Sequence, residues 1–148
     1  MVFYESVASR RLLVGHLLWF LLWTGVTVVG TRLSASPHLH GTHQQLGLPP
    51  CPSVLLSHRP CPGCGLTTSF TATLHADWPI AFAAHPFGPV LYALFTASAF
   101  ACLVGFVRQQ RFNTDSRALG IFLIVLTTSF LLYGGYRMLT TTTLPFAN

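Results

Sequence analysis

"FGPVLYALFTASAFACLVGFV", residues Phe87–Val107, is the stretch that decides the fold of this chain. It contains no charged side chain, and a helix crosses a hydrocarbon core with about 20 predominantly apolar residues. We therefore expect a membrane-spanning helix over about residues 87–107. Similar apolar runs occupy residues 12–31 and 118–139, and they predict two further spans.

The composition favours the same class of protein. Charged residues make up 7 % and apolar residues 51 % of the chain, whereas an ordinary soluble domain has about 25 % charged residues. The formal net charge is +5, but the arginines are scattered rather than clustered on one face, so we expect no nucleic-acid partner. With 148 residues, the chain is expected to form one membrane domain, residues 1–148, in contact with the lipid bilayer.

The arginines predict an orientation. Arg10 and Arg11 precede the first apolar run, and Arg108, Arg111 and Arg117 lie near the connection between the second and third runs. Arginine is enriched on the cytoplasmic side of membranes. We therefore expect a multi-pass membrane protein with a cytoplasmic N-terminus. The C-terminus and the loop of residues 32–86 are then extracytoplasmic.

A short motif inside this loop, "CPGCG" at Cys61–Gly65, is called here the cysteine knuckle. Its proline fixes a turn, and its glycines permit a left-handed backbone. Beyond the knuckle, Leu66, Phe70 and Leu74 recur every four residues, which predicts a short helix. Asp77 then predicts the N-cap of a second short helix, with a proline in its first turn.

Residues 32–60 show neither helical nor alternating periodicity, and they are expected to be irregular. The sequence as a whole predicts an all-α integral membrane protein. It is expected to contain three transmembrane helices plus one or two short interfacial or re-entrant helices, which follow an outer loop rich in Cys and His.

Three uses of the cysteines stay open. Zinc and other transition metals take Cys and His ligands, and the loop offers these candidates: Cys51, Cys61, Cys64, His38, His40, His43 and His58. A disulfide between Cys51 and a knuckle cysteine would close a short loop and add about 3 kcal/mol of stability. Alternatively, Cys61 and Cys64, with Cys51 as resolving partner, would serve a quinone-linked thiol–disulfide oxidoreductase.

The second apolar run carries small residues at every fourth position: Ala93, Ala97, Ala101 and Gly105. Such a stripe lets another helix approach closely. We expect it to pack against another span of the same chain, and docking to a separate membrane subunit is the alternative. No phosphate loop, serine elbow or carboxylate pair is present in the sequence. The leading expectation is therefore a non-catalytic accessory or structural subunit of a membrane complex.

The segment from Cys51 to about Val90 resembles a small bacterial membrane-protein family of unknown function whose members share a CP-x-CG-x-TR signature. The matching positions are Cys51, Cys61, Pro62, Cys64, Gly65, Thr67, Asp77 and Pro86. Thr68, Ala76 and His85 stand where the family usually has arginine, glycine and asparagine. The resemblance implies a polytopic inner-membrane protein with an outward cysteine motif, and it implies no particular activity.

Overall fold

The computed structural model describes residues 4–6, 13–112 and 116–141. This part of the chain is helical apart from two short strands that pair antiparallel, with Tyr4 opposite Phe112. The elements in chain order are β1 (Tyr4–Ser6), α1 (Val14–Gly30), a 3₁₀ helix (Thr42–Leu46), α2 (Pro52–Ser57), α3 (Leu66–Leu74), α4 (Trp78–Ala84), α5 (Gly88–Arg108), β2 (Gln110–Phe112) and α6 (Arg117–Thr140). This strand pair departs from the all-α architecture that the sequence predicts.

Two helices of the described chain, rather than the expected three, are long and apolar enough to cross a membrane. They are α5, with a mean hydropathy of 2.2, and α6, with 1.9. The expected first span is corrected because α1 has only 17 residues. At 1.5 Å per residue it rises about 25 Å, which is less than the ~30 Å of a hydrocarbon core. Leu12, the first residue of that expected span, lies outside the described residues.

α1 and α5 pack together through aromatic and hydroxyl side chains. Trp19 Nε1 donates to Ser98 Oγ, and Trp23 Nε1 donates to Thr96 Oγ1, both at 3.0 Å. The Trp23 ring is buried and lies 5.2 Å from the ring of Phe95. Since the later residue of α1 pairs with the earlier residue of α5, the two helices are antiparallel. Each indole N–H brought into this apolar interface therefore has an acceptor.

The small-residue stripe of α5 lies largely outside this interface. Ala93 and Ala97 are exposed, Ala101 is half-buried and Gly105 is buried. Packing of the whole stripe within the chain, as expected from the sequence, is thus not what the structure shows. The physical reason is that the larger aromatic side chains of α5, such as Phe95, face α1 and turn the stripe away.

α3 buries small polar side chains rather than large apolar ones. Thr68 and Ser69 are fully buried. Thr68 Oγ1 lies 2.9 Å from Thr42 Oγ1, and Ser69 Oγ donates to the Ala81 carbonyl at 2.7 Å. The periodic residues that predicted the helix are only half-buried: Leu66, Phe70 and Leu74. An interior held by hydroxyl groups, with apolar side chains outside, is typical of helices packed in a membrane.

The second short helix begins as predicted. The Asp77 carboxylate accepts a hydrogen bond from the Ile80 N–H at 3.3 Å, and Pro79 lies in the first turn of α4. His85, which precedes a proline, has an extended backbone with φ −159°, because the proline ring disfavours a helical conformation before it. α3 and α4 are therefore the two short helices expected after the loop.

The loop itself is more ordered than expected. The expectation of an irregular segment over residues 32–60 is corrected by the 3₁₀ helix Thr42–Leu46 and by α2. Both helices are shorter than two turns, so neither can show a hydrophobic period in the sequence. α2 starts at Pro52, where a proline ring is already set to a helical φ.

Candidate metal centre

The knuckle is a tight turn held by its own backbone. The Cys64 N–H donates to the Cys61 carbonyl at 3.0 Å, and the Leu66 N–H donates to the Gly63 carbonyl at 3.1 Å. The Cys61 N–H points at Cys64 Sγ, 3.2 Å away. These bonds place the two knuckle sulfur atoms 3.4 Å apart on one side of the turn.

Gly65 makes this turn possible and anchors it to the rest of the fold. Its φ is +88°, the left-handed region predicted for a knuckle glycine. A Cβ atom at this position would collide with the Ala84 carbonyl oxygen and lie 2.9 Å from the Leu39 carbonyl oxygen. The knuckle backbone is therefore in direct contact with the end of α4 and with the histidine-containing loop.

Cys51 joins the knuckle from ten positions earlier in the chain. It is the residue that caps α2, and its Sγ lies 3.6 Å from Cys61 Sγ. The Sγ atoms of Cys51, Cys61 and Cys64 all lie within 4.8 Å of one another. Among the described residues, this is the group of three or more Cys, His, Asp or Glu side chains close enough to share a metal ion.

The sulfur spacing matches metal ligation more closely than a covalent bridge. A disulfide bond is about 2.05 Å long, and the sulfur pairs of 3.4 Å and 3.6 Å are well beyond that length. Two thiolates bound tetrahedrally at about 2.3 Å to one zinc ion lie about 3.8 Å apart. The observed sulfur pairs are therefore within a few tenths of an ångström of the spacing that two zinc-bound thiolates would have.

The thiols differ in acidity. Burial, together with a hydrogen bond to Cys61 and the nearby thiol charges, raises the pKa of Cys64 to about 12. Burial also acts to raise the pKa of Cys51, but hydrogen bonds to the backbone of Ser53 and Val54 and to the neighbouring thiols outweigh it and lower that pKa. The pKa of Cys51 is therefore lower than that of Cys64, and a bound cation would favour the ionised form of Cys64 against its burial.

A cavity of about 300 Å³ opens beside the sulfurs. Its walls include His40 and His43 from the 3₁₀ region, Pro49 and Pro50 before α2, and Thr67 of α3. This cavity is the side from which a metal ion would reach the sulfurs, and it would have room for a further ligand. It is therefore the open side of the site.

The four candidate histidines lie outside the group of sulfurs, in the part of the chain that the structure describes. His40 is buried, with Nδ1 2.6 Å from the His38 carbonyl oxygen, and His43 Nε2 lies 3.2 Å from the Pro49 carbonyl oxygen. His38 and His58 are exposed, and His58 ends α2 with a φ of +53°. The structure thus brings the three cysteines together, with His40 and His43 on the cavity wall.

His85 supports the knuckle from the opposite side. It is fully buried, and its Nε2 lies 3.1 Å from the Pro62 carbonyl oxygen. Its ring lies between Phe130 and Tyr133 of α6, at centroid distances of 5.2 Å and 5.5 Å. Burial is the main cause that lowers the pKa of His85, and the Arg137 charge lowers it further against the effect of the Pro62 carbonyl. The neutral ring is therefore the favoured form.

Arg137 is a residue near the site that sequence reasoning did not single out. Its Nη1 donates to the carbonyl oxygens of Cys64 and Ala84, both at 2.9 Å. In the sequence it is only an arginine near the end of an apolar run, and no local pattern connects it to a motif more than seventy positions earlier. A cation at the end of a span is ordinarily interpreted as reaching the membrane surface.

With the cluster defined, comparison with known proteins gives a family. Residues 51–99 match the family described as Protein of unknown function (DUF2752). This match confirms the resemblance to a family of unknown function that the sequence predicted. No curated protein and no solved structure shows significant similarity to the chain.

The DUF2752 segment contains all three cysteines of the cluster, the helices α2, α3 and α4, and the first half of α5. Arg137 and the rest of α6 lie beyond it. Position 68, where the resemblance led us to expect arginine, is a buried threonine whose hydroxyl pairs with Thr42. Asp77, one of the positions that match the family, acts as the N-cap of α4. The segment therefore includes the three cysteines but not α6, whose Arg137 bonds the Cys64 carbonyl.

Proposed function

We propose that this chain is a multi-pass protein of the bacterial inner membrane that binds a thiophilic transition-metal ion through Cys51, Cys61 and Cys64 at its outer face. The single observation that carries the proposal is the convergence of three Sγ atoms within 4.8 Å of one another. Three thiolates select soft or borderline ions such as Zn²⁺ and Cu⁺ over Mg²⁺ or Ca²⁺.

The membrane assignment is supported by the surfaces of the helices. In the most apolar windows of α5 and α6, only 11 % and 6 % of the residues are buried within the chain. A core helix of a soluble protein of this length would be mostly buried. Ile121, Phe122, Leu123, Ile124 and Val125 are all exposed, and five consecutive residues pass more than once around a helix. A hydrocarbon environment is the solvent that such a surface needs.

The surroundings of the sulfurs support metal binding over a bare thiol cluster. A bound cation offsets the burial and the mutual repulsion that raise the pKa of Cys64. The N–H of Cys61 directed at Cys64 Sγ stabilises a thiolate there. Backbone N–H groups directed at sulfur and a glycine in the left-handed region make the turn suited to hold two thiolates at ligand spacing.

The test is metal content in matched cysteine variants. The full-length chain, purified in detergent without chelator, is expected to carry or take up about one Zn²⁺ per chain, held by the three thiolates and a further ligand on the cavity side, because zinc takes four ligands. Co²⁺ in place of Zn²⁺ is expected to give sulfur-to-metal charge-transfer absorption. Cys51→Ser, Cys61→Ser and Cys64→Ser should each abolish stoichiometric binding. Cys102→Ser, which changes a half-buried cysteine of α5 outside the cluster, should retain it.

A contrary result has a definite form. Metal-free protein with a disulfide that includes Cys51 would sink the metal proposal and favour a structural staple or the quinone-linked thiol–disulfide oxidoreductase. In that enzyme two thiols give two electrons and two protons to a quinone and become a disulfide. Added quinone distinguishes these two functions. The oxidoreductase would reduce the quinone as its thiols are lost, whereas a structural staple would not.

An accessory-subunit role is a second candidate function, and the exposed part of the α5 stripe favours it. Ala93 and Ala97 are exposed, and small residues on a membrane helix allow close approach of another helix. Ala97→Phe is expected to dissociate an assembly seen by native mass spectrometry in mild detergent. Val107→Phe, at an exposed position that lies around α5 from the stripe, should leave it intact. A monomeric wild-type chain would contradict this role.

A further inference from the structure

One face of α6 is fitted to the cysteine knuckle. Phe130, Tyr133, Gly134 and Arg137 follow the spacing i, i+3, i+4 and i+7, which puts them on one side of a helix. Phe130 and Tyr133 hold the buried His85 ring. The other two residues of this face contact the knuckle itself. We call these four residues the docking face of α6.

Gly134 gives the closest approach between α6 and the knuckle. A Cβ atom on this glycine would collide with the Cβ and Cα atoms of Pro62. Pro62 lies directly after Cys61, and it is the first residue inside the knuckle turn. A Cβ atom on the adjacent Gly135 would meet nothing within 4 Å. The absence of a side chain at Gly134 is therefore what lets α6 lie against the turn.

Arg137 adds directional bonds to this contact. One nitrogen of its guanidinium, Nη1, reaches two backbone carbonyls, Cys64 and Ala84, at 2.9 Å each. Gly65 directly follows Cys64, and its missing side chain lets the Ala84 carbonyl approach the knuckle. The guanidinium thus joins α6, the end of α4 and the Cys64 backbone at one point.

The bond to the Cys64 carbonyl bears on the sulfur of the same residue. Cys64 is buried, and its Sγ is held by the Cys61 N–H. With its carbonyl fixed by Arg137, its backbone cannot rotate without breaking a charge-assisted hydrogen bond. The same guanidinium brings a positive charge to a site where three thiolates around a divalent ion carry a net charge of −1.

We propose that Arg137 is a positioning residue that holds Cys64 in the ligand cluster, so that the site is complete only while the docking face of α6 lies on the knuckle. This inference rests on the proposed metal-binding function and deepens it. α6 thereby becomes the element through which binding at the cluster and the arrangement of the membrane helices affect each other. Arg137 acts on the site through the Cys64 backbone and does not contact the ion itself.

The test compares five variants of the full-length chain in detergent, the fifth being Arg137→Lys. Arg137→Gln removes the charge and the fork of donors, and Gly134→Ala pushes α6 off Pro62. Gly135→Ala is the matched control for the second variant, because that position faces open space. Arg59→Gln is the control for the first, since it removes another arginine side chain that bonds α6, through the Met138 carbonyl at 3.5 Å.

Two readouts keep this inference distinct from the metal proposal. The first is metal-independent: alkylation of Cys64 in the apo protein should become several-fold faster in Arg137→Gln and Gly134→Ala and stay unchanged in both controls. The second is affinity for Zn²⁺, which should fall about 10- to 100-fold in the same two variants, the range seen when a group supporting a metal ligand is lost. Arg137→Lys should recover part of the affinity, because it restores the charge.

The outcomes that overturn the inference are separate from those that overturn the metal site. Unchanged Cys64 alkylation in Arg137→Gln shows that Arg137 does not position Cys64, whether or not the wild-type chain binds metal. If Arg137→Gln and Arg59→Gln lose the same thermal stability and keep the same Zn²⁺ affinity per folded chain, the role of Arg137 is purely structural. If the wild-type protein binds no metal, the proposed function is wrong. The alkylation rate of Cys64 in Arg137→Gln still shows whether Arg137 positions Cys64.

Discussion

Cys51 and Cys64 have opposite environments within one cluster. Cys51 is half-buried at the start of α2, where backbone and thiol hydrogen bonds lower its pKa despite the effect of burial. Cys64 is buried, and its pKa is raised to about 12. At the scale of single residues, the cluster therefore combines one thiol with a lowered pKa and one thiol with a raised pKa.

This difference predicts an order of thiol reactivity in the apo protein. Only the thiolate is alkylated, so Cys51 should react with iodoacetamide faster than Cys64 at about pH 8. Because the pKa of Cys64 is about 12, its rate should continue to rise with pH after that of Cys51 has levelled off. Peptide mapping by mass spectrometry after timed labelling measures both rates.

Zn²⁺ provides the control for this order, since binding should protect Cys51 and Cys64 together. Cys102 on α5 should be labelled at the same rate with and without the ion. Equal reactivity of Cys51 and Cys64 across the pH range would show that their environments do not differ in the way described.

At the scale of elements, short helices meet at the site, and each begins at a residue whose local chemistry favours the start of a helix. Asp77 starts α4 by accepting from the Ile80 N–H, and Pro52 starts α2 with a preset φ. Gly65 lets the chain pass from the knuckle into α3 with a left-handed backbone. None of these helices exceeds nine residues, so their stability depends on contacts with one another and with the long helices.

At the scale of the whole molecule, the helices separate two ends. β1 pairs with β2 in the connection between α5 and α6, and this end carries arginines of the short connection. The cysteine cluster lies at the other end, where Arg137 of α6 reaches it. Since α5 leaves the cluster and α6 returns to it, the loop of residues 32–86 and the C-terminal end of α6 lie on the same side.

This arrangement predicts opposite labelling of two engineered cysteines in intact cells. Leu56→Cys, at an 87 % exposed position of the loop, should react with a membrane-impermeant maleimide from outside. Gln109→Cys, exposed at the far end of α5, should react only after the membrane is permeabilised. Labelled peptides identified by mass spectrometry separate these sites from the native cysteines. Outside labelling of Gln109→Cys alone would reverse the proposed orientation.

Local signals in the sequence were sufficient for several features. The apolar runs predicted the long helices α5 and α6, the Asp77 cap and the leucine–phenylalanine period predicted α4 and α3, and the glycine pattern predicted the left-handed residue of the knuckle. Each is set by interactions within a few residues along the chain, which is the range over which sequence patterns carry information. The two helices inside the loop were missed because they are too short to show a period.

What the sequence by itself determined is therefore the helical, strongly apolar character of the chain, the knuckle turn and the Asp77 cap of α4. Only the tertiary structure decided that Cys51 meets both knuckle cysteines, that His40 and His43 line the cavity, and that α6 is fitted to Pro62 and Cys64. These features join residues ten to more than seventy positions apart. Their contacts depend on how close helices approach, which a single missing side chain at Gly65 or Gly134 controls.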